Sequence, residues 1–303
     1  MKILITGATG LVGTRLSQHI LSQGHSLHFL TTSSSKKHQI PGAKGFYWNP
    51  TNNEIDPLCW EGVAVLIHLA GTSISLPWTT KNRARIKNSR TQSTQLLVES
   101  LKKTKTHLDT VVTASAIGLY PSSLETFSDE KTAPGSGFLS EVVSEWEEAV
   151  EKFTFVSKTL VKLRIGLVLA LEGGVLPTLS MPVKWGVGTA FGSGKQGQSW
   201  IHLDDLCRMF LWSCSANSHT VYNAVAPNPV SQNELIRQMG LILKRPLFLP
   251  NIPSLFMRLL LGDRSTLVLD SQYVSSQKVQ KAGFIFEYPQ LEGALKQIFR
   301  EKK

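Results

Sequence analysis

The feature that most restricts the fold lies at the amino terminus. An apolar run, Lys2-Ile3-Leu4-Ile5-Thr6, passes directly into Gly7-Ala8-Thr9-Gly10-Leu11-Val12-Gly13, and a stretch of helical length follows. Each glycine answers a separate physical demand. The first allows the tight turn, the second lets backbone N–H groups approach a diphosphate, and the third lets helix and strand pack closely. The helix N-terminus adds free donors and a partial positive charge. The pattern predicts a dinucleotide held by Gly7, Thr9, Gly10, Leu11, Val12 and Gly13. The plain alternative is a strand-to-helix turn without a ligand.

Further along, β-branched apolar runs alternate with segments of helical length, the mark of a parallel sheet covered on both faces. Strands are expected near 2–6, 26–31, 45–48, 63–69, 110–115, 159–165 and 221–224. Helices are expected at 10–23, closed by Gly24 as a left-handed cap, at 82–103, at 138–152, at 204–213, at 231–243 behind a Ser231-to-Glu234 capping box, and at 255–261. Phe138, Val142, Trp146 and Val150 form one apolar stripe on the third. Beyond Gly166, glycines and prolines crowd together and predict loops. The fold expected is α/β: a doubly wound parallel (Rossmann) sheet with a smaller C-terminal α+β substrate-binding domain. Residues 1–168, with a strand near 220–226, form the nucleotide domain; 169–219 and 227–303 form the second part, with a ligand cleft between them.

With 303 residues, 42% of them hydrophobic and 18% charged, the chain can bury a large core, which excludes a disordered or fibrous protein. Its longest apolar stretches, such as 63–70, fall far short of the ~20 residues of a membrane span. No export signal is visible ahead of the glycine loop. Three widely spaced cysteines, Cys59, Cys207 and Cys214, suggest neither a disulfide framework nor a metal site, so the reducing cytoplasm is expected. The net charge of +10 is concentrated between Lys81 and Lys105. A solvated helix face or a small anionic ligand explains it better than nucleic acid, since no nucleic-acid-binding motif accompanies it.

A site for NAD usually carries Asp or Glu after the second strand, to hold the ribose 2′-hydroxyl. Here Thr31-Thr32-Ser33-Ser34-Ser35-Lys36-Lys37 offers hydroxyls and ammonium groups instead. This favours NADP over NAD, with Thr32, Ser33 and Lys37 at the 2′-phosphate; alternatively the lysines only decorate a loop.

The G-x-x-G-x-x-G loop and His68-Leu69-Ala70-Gly71 resemble the short-chain dehydrogenase/reductase superfamily in its extended, sugar-nucleotide-epimerase-like form. More narrowly the chain resembles the branch called epimerase family proteins, which ends in a small domain of unknown function. That resemblance runs through Trp78-Thr79, Ile86 to Arg90, Ser115 to Tyr120, Phe138 to Val142, Arg164-Ile165-Gly166, Ser199 to Leu206, Asn223 to Pro227 and Ala282 to Phe284. It implies cofactor contacts at Leu69, Ala70, Gly71, Ser115 and Arg164. The chain departs from the branch at Thr32, where an Arg is usual, at Pro121, at Gly197, which replaces an aromatic residue, and at Gly262-Asp263-Arg264.

In that superfamily a Ser or Thr closing the fifth strand positions the substrate. A Tyr then acts as acid or base, its pKa lowered from about 10 by a Lys one helical turn on. Ser115 fits the first role, but Leu139 and Val143 stand where the Tyr and Lys belong. Tyr120, just past Ser115, is the nearest phenol; it reads either as a reacting group or as a half-buried structural tyrosine. Arg90 reads as a bidentate clamp on an anionic substrate or as a surface cation. Glu141 lies off the apolar stripe and is expected in solvent. Asp204 and Asp205 are expected to cap the helix they open rather than to bind metal with His202, and Trp200 reads as a lid or as core. Two functions follow. One is an NADP-dependent oxidoreductase or epimerase-like enzyme acting on a small, anionic metabolite through Ser115, Tyr120 and Arg90. The other is a non-catalytic nucleotide-dependent binding protein. The resemblance also implies a homodimer through helices 82–103 and 138–152, which the basic run opposes.

Overall fold

The computed structural model describes residues 1–300. Twelve strands occur among them: β1 Lys2–Thr6, β2 Ser26–Thr31, β3 Ala43–Asn49, β4 Glu54–Ile55, β5 Val65–His68, β6 Leu108–Ala116, β7 Ser157–Ile165, β8 Leu167–Leu169, β9 Gly197–Gln198, β10 Trp200–His202, β11 Thr220–Ala224 and β12 Val230–Ser231. The helices are α1 Leu11–Ser22, α2 Thr80–Lys103, α3 Phe138–Glu151, α4 Leu176–Lys184, α5 Leu203–Ser213, α6 Gln232–Ile242, α7 Ser254–Leu261, α8 Thr266–Leu269, α9 Gln277–Lys281 and α10 Leu291–Arg300. No described helix is long and apolar enough to cross a membrane.

Eight strands form one sheet in the order β11-β7-β6-β5-β1-β2-β3-β4. From β3 through β2, β1 and β5 to β6 every neighbouring pair is parallel; β4 joins the edge antiparallel. The chain winds outward from β1 through β2 and β3, then returns to β1's other side and winds outward through β5, β6 and β7. This reversal makes a crevice at the carboxyl ends of β1 and β5, where open α/β sheets bind ligands. The sheet's centre is apolar because it is covered on both faces: Ile3, Leu4, Ile5, Phe29, Leu66 and Ile67 are fully buried. On α1, Gly13, Leu16, Ser17 and Ile20 face inward at steps of three and four. Gly24 after it has φ +75°, as a left-handed cap requires.

The chain divides into two compact units. The first comprises 1–116, 141–164 and 207–222; the second comprises 117–140, 165–206 and 223–303. The boundaries run through α3, β7, α5 and β11, so these elements are shared, a finer interleaving than domains broken at 168, 220 and 226. The second unit has its own core, in which Leu169, Leu176, Val183, Trp200, Leu235, Met239 and Leu295 pack together.

One expectation fails here, and of two readings of Trp200 the core one holds. The stretch after Gly166 is not all loop: α4 forms despite Pro182 within it, because Leu176, Leu179 and Val183 bury one face. Its other proline, Pro177, stands in the first turn, where a missing N–H costs nothing. Trp200 is not a lid. It is 0% exposed in the second unit's core, with Nε1 donating to Asn228 O at 3.0 Å.

Candidate active site

The crevice is assembled from the ends of β1 and β5. Gly7 adopts φ +70°, the left-handed turn that favours glycine. A Cβ on Gly13 would lie 2.1 Å from Gly7 O, so only glycine lets α1 start this close to β1. α1 opens on Gly10, which supplies no side-chain cap, and its first turn holds no acidic residue. No acceptor is recorded for the backbone N–H groups of Leu11, Val12 and Gly13, the three donors that helix geometry leaves without intrahelical partners. Thr9 and Gly10 are exposed beside them. These residues fit a diphosphate.

The facing wall, Leu69-Ala70-Gly71, is tied to the loop by a chain of hydrogen bonds. Thr6 Oγ1 accepts the N–H groups of Leu69 and Ala70, each at 3.0 Å, and lies 2.8 Å from His68 Nδ1. His68 Nε2 lies 3.2 Å from Thr94 Oγ1, whose own proton goes to Arg90 O at 2.8 Å. The donors fix the tautomer: Thr94 must accept, so His68 carries its proton on Nε2 and accepts from Thr6 at Nδ1. Burial, with Arg90 nearby, lowers the His68 pKa to about 3, which keeps the ring neutral.

After β2 the loop carrying Thr32, Ser33 and Lys37 has no carboxylate until Glu54. Ser33 N–H donates to Thr31 Oγ1 at 3.3 Å, and its hydroxyl pairs with Ser35 at 2.9 Å. A Cβ at Gly45 would come 2.3 Å from Lys37 O, so the loop backbone lies directly on β3. Thr32 is exposed, Ser33 and Lys37 partly so.

Arg90 is not a surface cation. Its guanidinium lies against Gly71, where a Cβ would meet it at 3.2 Å, and over the Trp146 ring at 4.9 Å. Nη1 donates to Thr72 O and Ile86 O at 3.1 and 2.9 Å, while Nε and the neighbouring indole Nε1 of Trp146 are buried without a recorded partner. Burial lowers its pKa only to about 10, so it stays a cation at neutrality. Lys87 on the same helix is half-buried, paired with Glu145 at 2.6 Å and Glu141 at 3.4 Å. Glu141 itself is exposed.

Ser115, near the end of β6, is 3% exposed and donates to Glu147 Oε1 at 2.6 Å. Arg164 on β7 grips the same carboxylate with two parallel bonds, Nε to Oε1 at 2.8 Å and Nη2 to Oε2 at 2.9 Å. Lys162 Nζ stands 3.6 Å from Oε2 and binds Glu151 as well. Burial works to raise the Glu147 pKa, but the donors from Arg164 and Ser115 outweigh it and hold the pKa below the usual carboxylate range. Glu147 is the residue that sequence reasoning passed over. The signal was present: Leu139, Val143 and Glu147 fall at steps of four on α3, so the turn after the two missing groups brings a carboxylate to the same face.

Tyr120 belongs to the second unit. It is 3% exposed among Val225, Val274 and Ile117, and its hydroxyl donates to Asn223 Oδ1 at 2.7 Å. Asp205 accepts the N–H groups of Glu287 and Tyr288, each at 2.8 Å, and so anchors a distant segment. His202 Nδ1 accepts Asp204 N–H at 3.1 Å, so its Nε2 donates to Gln297 Oε1 at 2.8 Å, and the ring stacks on Tyr288 with centres 4.0 Å apart. No cluster of metal-binding side chains occurs among the described residues.

A doubly wound sheet, a glycine loop at its switch point and a serine closing β6 define the extended short-chain dehydrogenase/reductase class. Within that class the chain belongs to the NAD-dependent epimerase/dehydratase family, whose model matches residues 3–147, while a domain of unknown function matches 252–298. It is 34% identical to the chloroplastic epimerase family protein SDR39U1 homolog of Arabidopsis thaliana, over 99% of this chain and 87% of that one. It is 36% identical to an epimerase family protein of Staphylococcus aureus, over 99% of both. The crystal structure of human epimerase family protein SDR39U1, solved with NADPH, superposes with a TM-score of 0.85 at 27% identity, covering 99% of each chain.

Proposed function

We propose that the chain is an NADP-dependent oxidoreductase or epimerase-like enzyme acting on a small metabolite, with Ser115 at the reacting end. The carrying observation is the cradle at the switch point: three N–H groups at the start of α1 without acceptors among the described residues, Gly13 where a Cβ would strike Gly7 O, and a wall held in place through Thr6 and His68. The loop after β2, with hydroxyls and lysines and no acid, favours the 2′-phosphate of NADP, and the human relative solved with NADPH agrees. Bound there, the nicotinamide supplies or takes a hydride. The chain's own residues do the rest. Leu11, Val12 and Gly13 hold the diphosphate, Thr32, Ser33 and Lys37 the 2′-phosphate, and Leu69 to Gly71 line the ribose. Arg90 keeps Gly71 and Thr72 in place, and its buried charge favours an anionic substrate beside that wall. Arg164, expected at the cofactor, also grips Glu147 through Nε and Nη2. Calorimetric titration with the four nicotinamide coenzymes tests the reading. NADPH and NADP should bind at least about tenfold tighter than NADH and NAD, a difference of about 1.4 kcal/mol; no saturable binding of any form would overturn it.

A non-catalytic role is the second reading, favoured by Leu139 and Val143 at the Tyr and Lys positions. It predicts unchanged NADPH absorbance across a carbonyl and alcohol panel, together with a stoichiometric protein partner in pull-downs.

A further inference from the structure

The polarity of the Ser115 hydroxyl narrows the substrate class, on the reading that Ser115 faces the ligand of this first-unit site. A serine hydroxyl holds one proton and two lone pairs, and which of these meets the ligand depends on where the proton goes. Here it has one destination. Glu147 is an ionised carboxylate, so it accepts only, and Oε1 takes both Ser115 Oγ at 2.6 Å and Arg164 Nε at 2.8 Å. The carboxylate cannot turn away to release the serine, because Arg164 holds both its oxygens and Lys162 stands beside the second. A short bond to a charged acceptor is among the stronger hydrogen bonds, so the proton stays directed at Glu147. Ser115 is left with lone pairs to show.

We propose that Glu147 fixes Ser115 as a hydrogen-bond acceptor, so that the site selects a ligand presenting an O–H donor, a secondary alcohol, over the carbonyl compound of the same skeleton. A carbonyl oxygen set against Ser115 would meet lone pairs and lose its hydrogen bond on leaving water. Glu147 is thus a positioning residue: it acts through Ser115. Leu139 and Val143 offer no donor that would reverse the preference.

The test uses the whole chain saturated with NADP and matched probe pairs, cyclohexanol with cyclohexanone and 2-butanol with 2-butanone, with affinities read by calorimetry. In the wild type each alcohol should bind about tenfold or more tighter than its ketone. Ser115→Ala and Glu147→Gln should bring the two within about twofold, and Glu147→Asp should restore part of the preference. Equal or tighter ketone binding by the wild type, or no binding of any probe, overturns the proposal. A second measurement needs no probe: the carboxyl resonances of 13C-labelled Glu are followed against pH, with Glu147 identified by its loss in Glu147→Gln. Ser115→Ala should raise the Glu147 titration midpoint, since one donor is gone. An unmoved midpoint means that the serine does not donate into the carboxylate, and overturns the proposal even if the variants fold poorly. Titration of NADP into the same wild-type sample reports separately on the cofactor reading: failure there removes the premise, while normal NADP binding with a ketone preference removes only this inference.

Discussion

At the residue scale, the site depends on side chains that never need to touch a ligand. His68 is the clearest case, neutral and fully buried between Thr6 and Thr94. Its folded pKa, about 3, lies far below the value near 6.5 of the unfolded chain, so the unfolded state takes up the proton first. Stability must therefore fall as pH drops below about 6.5 and keep falling toward pH 3, with a slope approaching about 1.4 kcal/mol per unit. Urea unfolding of the wild type and His68→Gln between pH 7.5 and 4.5 checks this: the slope should be shallower in the variant, in which no imidazole remains to be charged. Glycine 13 gives a second prediction. A Cβ there would strike Gly7 O at 2.1 Å, so Gly13→Ala must shift α1 away from β1 and weaken NADPH binding by more than about tenfold. Calorimetry reads the loss. Gly197, which breaks the family's aromatic pattern, has a tertiary explanation: the Tyr273 ring fills the space a side chain would take, 2.5 Å from a built Cβ.

At the element scale, local chemistry and packing divide the work. α6 begins where its capping box says it should, with Ser231 Oγ accepting from Glu234 N–H at 3.2 Å. Ser231→Ala should cost about 1 kcal/mol in chemical denaturation. Lys87 makes two ion pairs, but both its partners are exposed. Lys87→Ala should therefore change stability by less than about 1 kcal/mol, measured in the same way. The strands β1, β2, β6 and β7 fall within two residues of where β-branched runs put them, because a strand covered on both faces needs a largely apolar run at its centre. α4 escaped that reasoning. Proline and glycine speak for local breaks, but burial of Leu176, Leu179 and Val183 overrides the penalty, and no local signal reports burial. The basic run from Lys81 to Lys105 is mostly the solvated face its spacing suggests, with Lys81, Arg85, Lys102, Lys103 and Lys105 exposed, but the fold withdraws Arg90 beneath Gly71 and sets Lys87 against two carboxylates.

On the scale of the whole molecule, a ligand that binds only the folded chain stabilises it by mass action. NADPH at about one hundred times its Kd should add about 2.7 kcal/mol to the unfolding free energy, and Gly13→Ala should cut the increment to about 1.4 kcal/mol or less without lowering the denaturant slope. The two units contribute differently to what could be read beforehand. The first carries its function in a contiguous motif, so strand, loop, helix and cofactor class were all visible from residues 2 to 24. The second contributes a core built from segments far apart in the chain, from Leu169 to Leu295, and its boundaries cross four elements.

The amino-acid sequence determined the doubly wound sheet, its glycine loop and the absence of the usual tyrosine and lysine, because each is written in neighbouring residues or in a short-range period. Only the tertiary structure decided what surrounds Ser115. Glu147, Arg164 and Lys162 come from a helix and a strand separated from it by many residues, and a hydrogen bond between such groups has no local signature. Whether a hydroxyl gives or receives depends on which partner arrives, and that is settled when the strands and the helix meet.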